Sequence, residues 1–99
     1  MSGKQFSEKE RNFRRYLRNR VCKPRLDRWA AEAGLTDKER VFLLRQFLNG
    51  DSRFSIGVDY YSCEVTVSRH ITKGVRKIMD YLESEGLWSD IEKEMSSLV

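Results

Sequence analysis

No stretch of the chain approaches the roughly 18 consecutive apolar residues that a membrane-spanning helix needs. Its first residues also lack the apolar core of a secretory signal, so a cytoplasmic location and no membrane partner are expected. Cysteine occurs only at Cys22 and Cys63, far apart and without CxxC spacing. That excludes a disulfide framework and a zinc site, and both thiols are read as reduced, buried and structural. There is no Gly-rich phosphate loop, no cluster of metal ligands and no nucleophile spaced beside a base. The chain is therefore expected not to be an enzyme, and to need no cofactor or metal. The sole histidine, His70, has nothing at motif spacing to orient or activate it, so it reads as a surface or phosphate-contacting group rather than a general base. Alternating strand patterns, fixed-period repeats and low-complexity stretches are absent too.

What is present is charge, unevenly placed. The 99 residues carry 19 Lys+Arg against 15 Asp+Glu, a net charge of +4, which suits a polyanionic partner without proving one. Met1 to Arg28 holds ten basic residues against Glu8, Glu10 and Asp27, while Glu83 to Val99 holds Lys93 against five acids. A basic face and an acidic tail are implied.

Helical spacing accounts for the apolar residues. Ser7 with Glu10 is a capping-box signature, and Phe13, Tyr16, Leu17 and Val21 follow on one face, which predicts a first helix from about Glu8 to Arg20. Its outer face carries Arg11, Arg14, Arg15 and Arg18, either as an ordinary solvated face or as a phosphate-contacting arm. Pro24 suits the first turn of a second helix with Leu26, Trp29, Ala30 and Ala33, ended by Gly34. Thr36 with Glu39 repeats the capping box before a central core helix of Val41, Leu43, Leu44, Phe47 and Leu48, closed by Asn49-Gly50. Ser55 is expected to cap a brief fourth helix running to about Tyr61, with Ile56 and Tyr60 inward. The longest pattern follows a tight turn at Ser62-Cys63: Val67, Ile71, Val75, Ile78 and Leu82 recur at steps of four and three until Gly86. Leu87, Trp88, Ile91, Met95 and Leu98 trace a last amphipathic stripe over residues 87–99.

The expected fold is all-α, a compact bundle of five to six helices in one domain over residues 1–99, with basic helices in 1–34 and a helix-turn-helix in its second half. That unit needs a short helix, a tight turn and a second helix whose buried face anchors it while its first turns enter the DNA major groove. With Val67, Ile71 and Val75 inward, Glu64, Val65, Ser68, Arg69 and Thr72 are the candidate base contacts. Arg69 can grip guanine O6 and N7, Glu64 can accept from cytosine N4, and Val65 can touch a thymine methyl. Thr66, His70, Lys73, Arg76 and Lys77 have the reach for phosphates, as do Arg53 and the amide end of the helix at Ser55. Gly57, next to the buried Ile56, marks a close helix crossing.

The run Thr66-Val67-Ser68-Arg69-His70-Ile71, with Ile56-Gly57 ten residues earlier and Lys77-Ile78-Met79-Asp80-Tyr81-Leu82 after it, resembles the last helix-turn-helix of bacterial sigma factors, region 4, and the output domains of LuxR-type regulators. Leu35-Thr36-Asp37-Lys38-Glu39-Arg40 is similar to the opening of the same domain, so the resemblance spans 35–82. It implies a double-stranded DNA-binding regulator of transcription, of the small kind known from phages and mobile elements. It also implies contact with RNA polymerase through the helix from Asp37 to Leu48. Where the family often has Leu-Gly before the turn, this chain has Tyr60-Tyr61. The chain is also too short to hold the promoter-melting part of a full sigma factor.

Two other readings compete. The basic helix can be a surface helix with ordinary i,i+4 charge decoration. Alternatively the chain is a protein-interaction module that borrows the fold and docks through an exposed Trp88. Against that docking stands closure of the core by the last helix, or its use as the seam of a homodimer.

Overall fold

The computed structural model describes residues 7–96. Six α-helices follow one another in these residues: α1 Glu8–Arg20, α2 Lys23–Glu32, α3 Asp37–Phe47, α4 Arg53–Tyr60, α5 Glu64–Ser84 and α6 Trp88–Ser96. No strand occurs among the described residues, and the chain is an all-α bundle, as its periodicity predicts. The radius of gyration, 13.3 Å, matches the roughly 13 Å of a single compact unit of about 100 residues.

The longest helix is the axis of the bundle. The α5 residues Val67, Ile71, Val75, Ile78 and Leu82 are fully buried, and Gly74 and Met79 join them. Against this face pack α3, α4, α2 and α6, α3 most extensively. Gly74 lets α3 and the residues before it approach closely, since a Cβ there would lie 3.0 Å from Leu43 and 3.1 Å from Leu35. On α3 the buried apolar residues are Phe42, Leu43 and Phe47, while Val41, Leu44 and Leu48 are half-buried. The stripe is thus turned from the expected one, because the dominant neighbour of α3 lies on the Phe42 side.

A second aromatic layer closes the other end. Phe13 of α1 stacks near Trp29 of α2, with ring centroids 6.4 Å apart, and meets Trp88 of α6 at 5.2 Å. Trp88 and Ile91 are buried, so α6 completes the core of its own chain. Closure of the core by the last helix is thus the reading found, and the alternative of an exposed, docking Trp88 is not, because the indole packs against Phe13. Glu94 ties α6 down by accepting from the Tyr16 hydroxyl and from Arg25. Burial and this carboxylate push the Tyr16 hydroxyl up to about 12. Leu98, the last residue of the expected stripe, lies outside the described residues.

Local signals were followed at most helix ends. Ser7 accepts from the Glu10 amide, Pro24 sits in the first turn of α2, and Thr36 and Glu39 form the full reciprocal capping box. Two details differ. Ser52, not Ser55, caps α4, its hydroxyl accepting from the Ser55 amide at 3.0 Å, so the helix begins earlier than its apolar pattern. Cys22 and Cys63 are free, as expected, but exposed rather than buried, because both sit at helix N-caps on the rim of the core. No helix among the described residues is long and apolar enough to cross a membrane.

The α4–α5 connection is three residues long and backbone-controlled. The Ser62 amide donates to the Gly57 carbonyl at 2.8 Å and the Tyr61 amide to Val58 at 3.5 Å, a Schellman closure with Tyr61 left-handed at φ 53°. A Cβ at position 57 would sit 2.3 Å from the Ser62 carbonyl oxygen, which no relaxed structure permits. Gly57→Ala should therefore destabilise the protein by about 2 kcal/mol or more. Tyr61→Gly should stabilise it by about 1 kcal/mol by removing left-handed strain. Chemical denaturation of the two variants beside the native chain checks both signs.

Candidate nucleic-acid interface

The buried stripe of α5 sets the direction of everything else on that helix. Each residue advances about 100°, so a face centred on Val67, Ile71 and Ile78 puts Val65, Arg69 and Lys73 on the opposite side. All three are exposed. Among the described residues, neither Arg69 nor Lys73 has an ion pair or hydrogen bond, so both cations are available to an anion. Glu64 is exposed in the first turn.

Ser68 and Thr72 lie on one flank and are half-buried. Each is in contact with an arginine from another helix. Arg53, at the start of α4, donates to the Ser68 hydroxyl at 3.3 Å. Arg14, from α1, donates to the Thr72 hydroxyl at 2.9 Å. In this structure the two hydroxyls thus hold cations rather than stand open to base edges, because α1 and the first turn of α4 pack along this flank. Arg14 is the residue the sequence pattern placed on a uniform outer face of α1. Only the docking of α1 against α5 makes it different from Arg15.

The remaining candidates divide by what they already touch. Thr66 is half-buried, its hydroxyl 3.3 Å from the Cys63 thiol. That hydroxyl and the backbone at the start of α5 draw the thiol below its ordinary value. His70 is half-buried: its ring meets Phe42 edge-on at 5.5 Å and its Nδ1 is buried. It stands on the flank facing α3, where Phe42 is drawn into the core. Ser55 is exposed but its amide is taken by Ser52, which leaves the Arg53 and Phe54 amides at the start of α4.

Arg76 and Lys77 are committed to buried carboxylates. Arg76 Nε donates to Glu10 at 3.1 Å and Lys77 Nζ to Glu39 at 2.8 Å. Glu10 also takes Arg14 at 3.2 Å. Arg76 and Lys77, expected to contact phosphates, are thus each paired with a buried carboxylate, as buried carboxylates require. Among the described residues no three His, Cys, Asp or Glu side chains converge to hold a metal ion. Comparison with family models, curated proteins and solved structures finds no match.

Burial alone would raise the Glu39 carboxyl. The hydrogen bond from the Lys77 ammonium and those from the Thr36 amide and hydroxyl outweigh it and hold the group below the ordinary glutamate value of 4.5. The folded value lies below the unfolded one, so this contribution is complete above 4.5 and is lost as pH falls through the lowered value. Glu39→Gln should lower stability at neutral pH and flatten its fall in the acid range. Denaturation midpoints measured from pH 7 down to about 3 check this.

Proposed function

We propose that the chain is a sequence-specific double-stranded DNA-binding protein that regulates transcription, with α4, the turn and α5 acting as a helix-turn-helix. The observation that carries this reading is the pair Arg69 and Lys73. These are two exposed cations without partners among the described residues, on the outer face of the first three turns of the longest helix, just after a three-residue turn. A surface salt-bridge decoration would have engaged them. The second half of the same helix shows that contrast, with Arg76 and Lys77 both engaged.

In this reading the first turns of α5 lie in the major groove. Arg69 grips a guanine edge, and Glu64, a carboxylate that phosphates would repel, faces the cytosine amino group. Lys73, Arg53 and the free amides of α4 hold phosphates on either side, which sets the register without selecting bases. Arg14, held on Thr72, brings α1 to the same flank. The sigma region 4-like character, and contact with RNA polymerase through the outer face of α3, rest on the sequence resemblance of residues 35–82. A homodimer, if formed, uses a face other than the buried side of α6, because Trp88 and Ile91 are already covered.

Selection of bound sequences from a random duplex library, followed by mobility-shift titration, tests the proposal. Binding should weaken steeply with salt. Arg69→Ala should relax preference at one position and cost roughly 1–3 kcal/mol on the selected site. Lys73→Ala should weaken all duplexes alike and reduce the salt slope by about one. A library that returns no enriched motif, or an Arg69→Ala variant with unchanged preference, would overturn it.

A further inference from the structure

The groove between α1 and α6 gathers cations that the helix-turn-helix does not use. One wall is the α1 face of Asn12, Arg15 and Asn19, at steps of three and four, with Arg20 at its end. The facing wall is the α6 set Ser89, Glu92, Lys93 and Ser96, again at steps of about one turn. All eight residues are exposed, while Tyr16 and Met95 lie deeper between them. Lys93 is the sole base between Glu83 and Val99, and the packing of α6 sets it opposite the arginines of α1.

Three cations thus line one depression from both sides, against one open carboxylate, Glu92. The neighbouring Glu94 is already taken by the Tyr16 hydroxyl and by Arg25 at 3.4 Å. Among the described residues neither Arg15 nor Lys93 has an ion pair or hydrogen bond. Like charges facing one another across a groove repel, and an anion between them turns that repulsion into attraction. The amides of Asn12 and Asn19 and the hydroxyls of Ser89 and Ser96 add neutral donors of the kind that bind phosphate oxygens. At about 1370 Å³ the groove exceeds the roughly 300–1,000 Å³ of a small-molecule pocket, and its exposed walls suit an extended run of phosphates rather than one small anion.

The groove also begins beside the reading helix. Arg14 donates to Thr72 of α5 at 2.9 Å, and Arg15, which lines the groove, is the next residue. Packed helices lie about 8–10 Å apart, so a groove beyond α1 stands roughly 15 Å from the α5 axis, or about four to five base-pair steps.

We propose that the groove between α1 and α6 binds the phosphate backbone of duplex DNA beyond the base pairs read by α5, through Arg15, Arg20 and Lys93. The inference rests on the DNA-binding function proposed above. It adds a sequence-independent hold on one flank of the site.

The test uses the full chain and the motif returned by library selection, in a short duplex holding the motif alone and in a long duplex with about ten base pairs of arbitrary sequence on each side. The native chain should bind the long duplex several-fold to about tenfold more tightly than the short one. The double variant Arg15→Ala, Lys93→Ala should lose that gain and keep the native affinity for the short duplex and the native base preference. On the long duplex its salt slope should fall by about two. Both substitutions are at exposed positions, and an unchanged helical circular dichroism spectrum would show that the fold is kept. A native chain that gains nothing from the flanks would overturn the proposal, as would a gain that survives in the double variant. So would a sedimentation coefficient, measured without DNA, that is lower for the double variant than for the native chain, which would give the groove to a second copy. Absence of any enriched motif would instead remove the DNA-binding reading itself, a different result from motif binding that ignores the flanks.

Discussion

The rotational setting of α5 about its own axis is the constraint on which the rest of the molecule depends. Its stripe from Val67 to Leu82 is covered by α3, α4, α2 and α6. Burying five such side chains contributes roughly 1.5–3 kcal/mol each before conformational entropy is counted. That is ample to hold one rotation against its neighbours. A turn of one residue would bury a charged or polar side chain in place of an apolar one. Because the helix can sit only one way, the outward direction of Val65, Arg69 and Lys73 follows from the inward direction of Val67, Ile71 and Val75.

The two buried carboxylates divide that helix into halves. Glu10 and Glu39 occupy equivalent positions, each the third residue of its helix, and each receives a cation from α5, Arg76 in one case and Lys77 in the other. Buried ion pairs of this kind add little net stability, because desolvation offsets most of the attraction. Their effect is geometric: they fix how α1 and α3 lie along the second half of α5. The first half is left with cations that no carboxylate among the described residues claims. Structural and candidate binding charges are thus segregated along one element, and the boundary falls between Lys73 and Arg76.

The turn between α4 and α5 combines a strict requirement with a tolerated strain. Gly57 has no freedom, since the Ser62 carbonyl occupies the space a side chain would need. Tyr61 is strained but not essential to the closure, which uses only its backbone. The contrast separates what the fold needs from what the surface carries. An exposed aromatic ring held in a left-handed turn is retained against a local energetic cost, and such cost is commonly found where a surface has a task.

The helices and their buried faces were legible in the sequence because they depend on neighbours a few residues away. The spacing of Val67, Ile71, Val75, Ile78 and Leu82, the Thr36-Glu39 box and the Pro24 start each act within one or two turns, and each is found as read. The partners of the charges were not legible. Arg14 and Arg15 look alike on the helix, as do Lys73 and Lys77. What distinguishes them is a contact with residues far along the chain: Thr72 is 58 positions from Arg14, Glu10 is 66 from Arg76, and Glu39 is 38 from Lys77. The sequence by itself therefore determined an all-α chain with a basic outer face on its longest helix. Only the docking of α1 and α3 against that helix decided which of its cations hold the fold together and which stand free, because an ion pair forms where helix packing brings two groups within about 3 Å, and no local pattern encodes that distance.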